Sequence, residues 1–340
     1  MFKVDPHLAN CSSNIERNII LTAFAARVRT GFYGRGRQIT VGEVAKALAA
    51  ISKTIELAGE TSPVYRAHNK YTLPVERLIE GYRRADPPAV PQLALPVKVP
   101  RHILKQSTTG TNKEKTIAEL GVIAFYYLLR VGEYTHPRTV TRNGTTKKTT
   151  RTVQFAVQNV GFFKNGTLVP LTAPLTELLL ADQATLKITN QKNGRMGETI
   201  HHHSTNTEDC PVKALACRVH HILSNGGEKD RLLCDYCDKG VWHSVTSADM
   251  RKTLRDAVKE LKLHHQGIDP DLVGVHSLRA GGAMALKLSG QTDTIIMKLG
   301  RWSSLTFLMY IHNQIAHLSS DIAKGMSKDI PFVNIASINT

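Results

Sequence analysis

A proline-rich stretch near residue 90 is the feature that most constrains how this chain can fold. Residues 86–100 have the sequence DPPAVPQLALPVKVP and hold five of the 14 prolines. Proline fixes φ and has no backbone N–H, so this stretch is predicted to be an extended connector and not a helix or strand. We therefore expect two domains, at residues 1–85 and 101–325, with the connector at 86–100 and a short tail at 326–340.

The part before the connector carries three helix patterns. Each begins with residues typical of helix N-termini: Ser13 with Glu16, Thr40 with Glu43, and Thr72 with Pro74. Apolar residues then recur at helical spacing, and Gly31 and Gly59 are placed to end the first two helices. This pattern predicts a small helical bundle.

The part after the connector mixes helix and strand patterns. A helix is predicted over about 113–131, a Thr- and Val-rich antiparallel sheet over 135–170 with its turn at Asn165-Gly166, and a second hairpin that turns near Asn193-Gly194. Helical periodicity returns at 250–263 and from 276 to about 315. The predicted fold class is mainly α with a small antiparallel β-sheet.

The charge balance points to a polyanionic partner. The chain of 340 residues has 44 Lys plus Arg against 28 Asp plus Glu, a net charge of +16, and both halves are basic. Such a charge attracts nucleic acid or an anionic membrane surface. No apolar run approaches the roughly 18 residues that span a bilayer, and the N-terminus has no apolar signal region. The five cysteines suggest a reducing compartment, so we expect an intracellular protein without a membrane partner.

Four short segments contain residues that can carry chemistry. Arg130 and Glu133 lie three apart in LLRVGEY, His276 and Arg279 lie three apart at a helix start, and Ala-Gly-Gly-Ala follows them, which permits a close backbone approach. Trp302 precedes a helical segment that carries Tyr310, and Lys192 stands beside a hairpin turn. Each segment also has a structural interpretation: an ion pair, a capped helix, a core tyrosine and a solvated turn lysine.

Together these residues suit phosphoryl transfer through a covalent intermediate. Two arginines can bind the non-bridging oxygens and stabilise a pentacoordinate transition state. A tyrosine hydroxyl can attack phosphorus, and a lysine and a histidine can move the protons. Arginines that neutralise this charge make a metal or another cofactor unnecessary.

The order and spacing of the motifs resemble the tyrosine recombinase (phage integrase) family. The sequence has Arg-x-x-Glu, a hairpin lysine, His-x-x-Arg, Gly-Arg-Trp and a C-terminal tyrosine, over about residues 100–320. The Gly-Arg-Trp form is most similar to the eukaryotic transposon-encoded, Crypton- or DIRS-like branch. The resemblance implies a helical DNA-binding domain and a catalytic domain that form a C-shaped clamp on double-stranded DNA, a homotetramer on that DNA, and a nuclear location in a eukaryotic host.

The resemblance also implies a role for each matching residue. Arg130 and Arg279 would clamp the phosphate, and Tyr310 would form a 3′-phosphotyrosyl link. Lys192 would be the general acid, and His276 would be the acid/base partner. Trp302 would donate a hydrogen bond to the phosphate, and Glu133 would support the first arginine. Tyr310 follows Trp302 by eight positions, one fewer than in many bacterial members, and Lys187 is the alternative lysine.

Other interpretations stay open. A type IB topoisomerase-like enzyme would use the same residues without a partner duplex, and an inactive descendant would only bind DNA. A basic stretch is a candidate for contact with the DNA backbone, through Arg138, Lys147, Lys148 and Arg151. A zinc site is the alternative for Cys234, Cys237 and His243, with Cys210, Cys217 or His220 as further ligands. The run His201–His203 has a loop or strand end as its ordinary interpretation.

Overall fold

The protein divides into two compact units, residues 1–90 and residues 91–340. The computed structural model describes residues 8, 11, 13–34, 36–66, 70–87, 93–137, 139–142, 145–148, 152–189, 197–205 and 207–310. The division falls inside the predicted connector. No helix in these ranges is long and apolar enough to cross a bilayer.

The first unit is the predicted helical bundle. It contains α1 (Asn14–Arg29), α2 (Val41–Leu57) and α3 (Leu73–Ala85), with a hairpin of β1 (Tyr65–Arg66) and β2 (Lys70–Tyr71) before α3. The predicted cap of α1 is confirmed, since the Ser13 hydroxyl accepts the Glu16 N–H at 3.2 Å. The side chain of Thr40 makes no capping bond. The helix nevertheless begins directly after Thr40, as predicted, and the Asp86 carboxylate accepts the Val41 N–H at 2.7 Å.

Eight α-helices lie in the described part of the second unit. They are α4 (Lys98–Gln106), α5 (Asn112–Tyr126), α6 (Val131–Tyr134), α7 (Leu175–Leu178), α8 (Pro211–Ser224), α9 (Ser247–Glu260), α10 (Ser277–Leu288) and α11 (Asp293–Gly300). The end of the predicted connector is wrong, because Pro100 lies in the first turn of α4. A helix does not need a backbone N–H at that position, so proline is tolerated there.

The strands of the second unit form small antiparallel sheets. The main sheet has the order β6-β5-β7-β8, with β5 (Val160–Lys164), β6 (Thr167–Val169), β7 (Gln183–Lys187) and β8 (Thr199–His203). Asn165 and Gly166 both have positive φ, 51° and 76°, as the predicted tight turn requires. Separate hairpins pair β3 (Thr139–Arg142) with β4 (Thr145–Lys148), and β9 (Asp235–Asp238) with β10 (Val241–Ser244). The predicted fold class is confirmed.

The helix predicted over 113–131 is interrupted, and this break positions the candidate site. Helix α5 ends at Tyr126, and Leu128 then adopts φ 49°, before α6 begins at Val131. A left-handed residue after a helix closes it, because the next N–H turns back onto the last turn; here Leu129 N–H donates to the Ala124 carbonyl at 3.0 Å. The break leaves the Leu128 carbonyl available to side chains from elsewhere in the unit.

Helix α10 passes directly against the end of α5. A Cβ atom on Gly282 would lie 2.3 Å from the carbonyl oxygen of Phe125. The close backbone approach predicted from Ala-Gly-Gly-Ala is therefore present, and the element approached is the chain's own helix. This crossing brings the start of α10, with His276 and Arg279, beside the break at Leu128.

Candidate active site

Arg130 and Glu133 form the ion pair that the sequence suggests. Arg130 occupies the position before α6, where its backbone N–H donates to Glu133 Oε2 at 2.8 Å. Its guanidinium Nη1 donates to Glu133 Oε1 at 3.2 Å. The Arg130 side chain remains 20% exposed, whereas that of Glu133 is 3% exposed. The carboxylate is thus part of the core, and the guanidinium of Arg130 extends from it towards the surface.

Arg301 is a third arginine of this cluster, and sequence reasoning did not assign it a role. It pairs with both oxygens of Glu133, at 3.1 Å from Nη1 to Oε1 and 3.1 Å from Nη2 to Oε2. The Nη2 atom also donates to the Leu128 carbonyl at 2.9 Å. Its side chain is 1% exposed. The signal in the sequence is the charge within Gly-Arg-Trp, because a buried arginine needs an acidic partner.

Arg279 meets the same carbonyl from α10. Its Nη1 donates to the Leu128 oxygen at 2.6 Å, and its Nη2 donates to the Gly300 carbonyl. The guanidinium carbon stands 4.4 Å from the centre of the Trp302 ring. The ring also lies over Gly300, where a Cβ would be 1.7 Å from a ring atom. The glycine of Gly-Arg-Trp therefore makes room for the tryptophan that stacks on Arg279.

His276, at the start of α10, lies within electrostatic reach of Arg279, Arg130 and Glu133. Burial lowers the pKa of the imidazole below its ordinary 6.5, and the positive charges of Arg279 and Arg130 lower it further. The carboxylate of Glu133 opposes this effect. A neutral imidazole can accept a proton at pH 7. We call the group of Arg130, Glu133, His276, Arg279, Arg301 and Trp302 the arginine cluster.

The helical periodicity from 276 to about 315 corresponds to three separate helical pieces up to residue 310. Helices α10 and α11 are followed by a 3₁₀ segment, Leu305–Tyr310, because the chain turns at Arg301, which has φ 56°. Phe307 is fully buried, and its ring centre lies 5.6 Å from that of Trp302. The segment that ends at Tyr310 is thereby attached to the arginine cluster.

The remaining predicted site residues have only partial descriptions. Lys192, Arg138 and Arg151 lie outside the described residues. Lys147 and Lys148 belong to β4, and the alternative lysine, Lys187, belongs to β7. Burial lowers the pKa of Arg301, and the negative charges of Glu133 and of Glu198, which directly precedes β8, oppose this effect.

The cysteine-rich region forms a hairpin core. Cys234 and Cys237 are buried, and the Cys237 N–H donates to His221 Nε2 at 3.0 Å. His243 stacks on Tyr236, with ring centres 5.4 Å apart. Among the described residues, no three His, Cys, Asp or Glu side chains converge as metal ligands.

No protein-family model and no curated protein matches the chain. Solved structures do match in fold. The XerH site-specific recombinase bound to palindromic difH substrate is 13% identical, with 91% of this chain and 72% of that chain covered and a TM-score of 0.51. The Tn1549 transposon integrase in complex with transposon right-end DNA is 11% identical, with 93% and 86% covered and a TM-score of 0.47. XerA recombinase is 13% identical, with 92% of each chain covered and a TM-score of 0.41.

The XerH structure supports a conclusion about fold. This chain has a fold like that of a tyrosine recombinase, mainly helical with small antiparallel sheets. At 13% identity the likeness does not extend to activity. The function therefore has to be argued from the arginine cluster.

Proposed function

We propose that this protein is a site-specific DNA recombinase or integrase that cuts and rejoins DNA through a 3′-phosphotyrosyl link at Tyr310. The observation that carries the proposal is the charge of the arginine cluster. Two guanidinium groups, from Arg130 and Arg301, pair with the single carboxylate of Glu133, and a third, from Arg279, shares the Leu128 carbonyl with Arg301. Even with Glu198 nearby, positive charge is in excess. Such an excess in a buried site favours an anion, and a phosphodiester supplies one.

The arrangement suits the reaction step by step. Arg130, the more exposed guanidinium, binds a non-bridging oxygen, and Arg279 binds from the α10 side. The tyrosine oxygen attacks phosphorus, the bond to the 5′-oxygen breaks, and the DNA remains joined to Tyr310 through its 3′-phosphate. Neutral His276 accepts the phenol proton, and Lys192 supplies a proton to the 5′-oxygen. The arginines stabilise the additional negative charge of the pentacoordinate transition state.

Double-stranded DNA is the proposed partner. The net charge of +16 supports it, as does the fact that XerH and the Tn1549 integrase are solved in complexes with DNA. Contact of the basic stretch with DNA, the clamp, the tetramer, the intracellular or nuclear location and the transposon-encoded branch stay predictions of the sequence and the resemblance. The two other interpretations, a topoisomerase-like enzyme and an inactive DNA-binding protein, differ from the proposal in what they do to DNA.

Covalent trapping tests the proposal. The probe is a pool of duplexes with a randomised centre and a nick on either side, so that cleavage releases a short strand and cannot be reversed. We expect the wild type to form a DNA adduct that withstands denaturation and disappears on protease treatment, and Tyr310→Phe to form none. Absence of a wild-type adduct would leave only DNA binding.

The recovered sequences then separate the two enzyme classes. A recombinase joins two duplexes that carry the recovered site and yields joint molecules. A topoisomerase-like enzyme relaxes supercoiled DNA as a monomer without joining duplexes.

A further inference from the structure

We infer that Arg301 is a positioning residue that holds Arg130 and Arg279 in register with the segment leading to Tyr310. The inference rests on the proposed function and extends it to a residue that the motif comparison leaves without a role. Arg301 would not touch the DNA. It would act by fixing Glu133 and the Leu128 carbonyl, the two groups to which the phosphate-binding arginines are attached.

Arg301 pairs with both oxygens of the Glu133 carboxylate. Two parallel N–H···O contacts, each 3.1 Å, hold both carboxylate oxygens of Glu133 in the plane of the Arg301 guanidinium. Such a fork fixes orientation as well as distance. The same two oxygens accept the backbone N–H and Nη1 of Arg130. The direction of the Arg130 side chain therefore depends on Arg301.

Arg301 and Arg279 also share one acceptor, the Leu128 carbonyl. The Leu128 oxygen accepts from Arg279 at 2.6 Å and from Arg301 at 2.9 Å, which uses both of its lone pairs. Leu128 and Arg301 both adopt positive φ, 49° and 56°, which is unfavourable for residues other than glycine. Two strained residues meet at one hydrogen bond. Strain of this kind is typical of sites where the backbone is held for a purpose other than stability.

The contacts and burial of Arg301 suit positioning, and those of Arg130 suit phosphate binding. The Arg301 side chain is 1% exposed, and two of the three contacts of its terminal nitrogens are with the Glu133 carboxylate, which offsets its charge. Arg130 is 20% exposed, and Arg279, which is as deeply buried as Arg301, donates to the backbone carbonyls of Leu128 and Gly300. Arg301 also directly precedes Trp302, which stacks on Arg279. A displacement of the segment from 301 to 310 would therefore loosen both phosphate-binding arginines. The placement of Tyr310 is therefore coupled to the assembly of the arginine cluster.

The test compares Arg301→Lys with a matched control, Arg101→Lys. Lysine keeps the charge but cannot span two carboxylate oxygens and a carbonyl. Arg101 also pairs with a buried carboxylate outside the arginine cluster, since its Nη2 lies 3.2 Å from each oxygen of Asp209. On a duplex recovered by trapping, we expect Arg301→Lys to bind DNA within about twofold of wild type and to cleave about 100-fold more slowly, since misplacement by about 1 Å costs that much. Arg101→Lys should cleave at the wild-type rate.

A methylphosphonate substrate distinguishes positioning from a general structural role. Its scissile group has a methyl in place of one non-bridging oxygen and carries no negative charge. Its cleavage therefore depends less on charge neutralisation by the arginines. We expect the defect of Arg301→Lys to shrink at least tenfold on this substrate. Glu133→Gln, which keeps the side-chain volume, should show the same relief, and the double variant should be no slower than the slower single variant.

The outcomes separate the two proposals. An Arg301→Lys defect of equal size on both substrates, or unimpaired cleavage by that variant, would overturn the positioning role while the recombinase proposal stands. If Arg301→Lys fails to fold, Glu133→Gln takes its place in the comparison. A cleavage defect of Glu133→Gln that is equally large on both substrates would then overturn the positioning role. A wild type that forms no adduct would overturn the proposed function, and the inference with it.

Discussion

Substitution of Gly282 by alanine tests the crossing of α10 and α5 on which the arginine cluster depends. The added Cβ would lie 2.3 Å from the Phe125 carbonyl oxygen and 2.4 Å from a methyl carbon of Leu128, whereas ordinary contact begins at 3.4 Å. One helix therefore has to retreat by about 1 Å at a point where both are buried. Overpacking of this kind costs about 3 kcal/mol.

Thermal unfolding followed by circular dichroism measures the effect. For a unit of this size, each kcal/mol lowers Tm by about 2–4 °C, so we expect Gly282→Ala to lower Tm by roughly 6–12 °C. Movement of Leu128 also displaces the carbonyl that accepts from Arg279. Cleavage measured well below Tm should therefore fall as well.

Gly121→Ala is the matched control, because Gly121 is buried in α5 and a Cβ there meets nothing within 4 Å. Alanine is favoured over glycine in a helix by about 1 kcal/mol, so this variant should be as stable as wild type or slightly more so. If Gly282→Ala unfolds at the wild-type temperature, the two helices do not meet at Phe125, and the arginine cluster as described cannot form.

Three further predictions concern pH and salt. Because burial and two arginines lower the pKa of His276, we expect the cleavage rate to hold down to pH 6.5 and to fall only below it, as the base becomes protonated; loss of rate already above pH 7 would contradict this. Burial lowers the pKa of His202 to about 4, so on acidification the unfolded chain binds a proton at this residue before the folded chain does. The free energy of unfolding, measured by urea denaturation, should therefore fall by roughly 3 kcal/mol as pH drops from 6.5 to 4. His202→Phe should flatten that slope, and an unchanged slope would assign it to other groups. DNA affinity, measured by fluorescence anisotropy, should fall about 10³-fold between 50 and 200 mM salt; a flat response would contradict a basic DNA-binding surface.

Local sequence signals predict the parts of the fold that local forces determine. The cap at Ser13 and the turn at Asn165-Gly166 form as expected, because a hydroxyl at a helix start and two residues tolerant of positive φ decide those conformations by themselves. The antiparallel pairing on each side of the turn follows from the alternation of side chains. The motif residues Arg130, His276, Arg279 and Trp302 also come together, and their order along the chain was sufficient to select them.

Tertiary forces decide the features that the sequence did not predict. The apolar run continues past Tyr126, and no glycine or proline lies between Tyr126 and Val131, so nothing local marks the break at Leu128. Two arginines that arrive more than 150 residues later stabilise that break by binding its carbonyl. For the same reason Arg301 was unassigned: its partner, Glu133, is 168 positions away. The hydrogen bond from the Val41 N–H to the Asp86 carboxylate is likewise a contact between residues far apart in the sequence.

The position of the covalent link tests the central claim most directly. After trapping on DNA, digestion with trypsin and nuclease should leave a nucleotide on one peptide, whose mass can be measured. Cleavage after Arg301 and Lys324 gives peptide 302–324, in which Tyr310 is the only tyrosine. We predict that this peptide carries the nucleotide as a phosphotyrosine ester. A nucleotide on any other peptide, or on a serine of this one, would contradict the account.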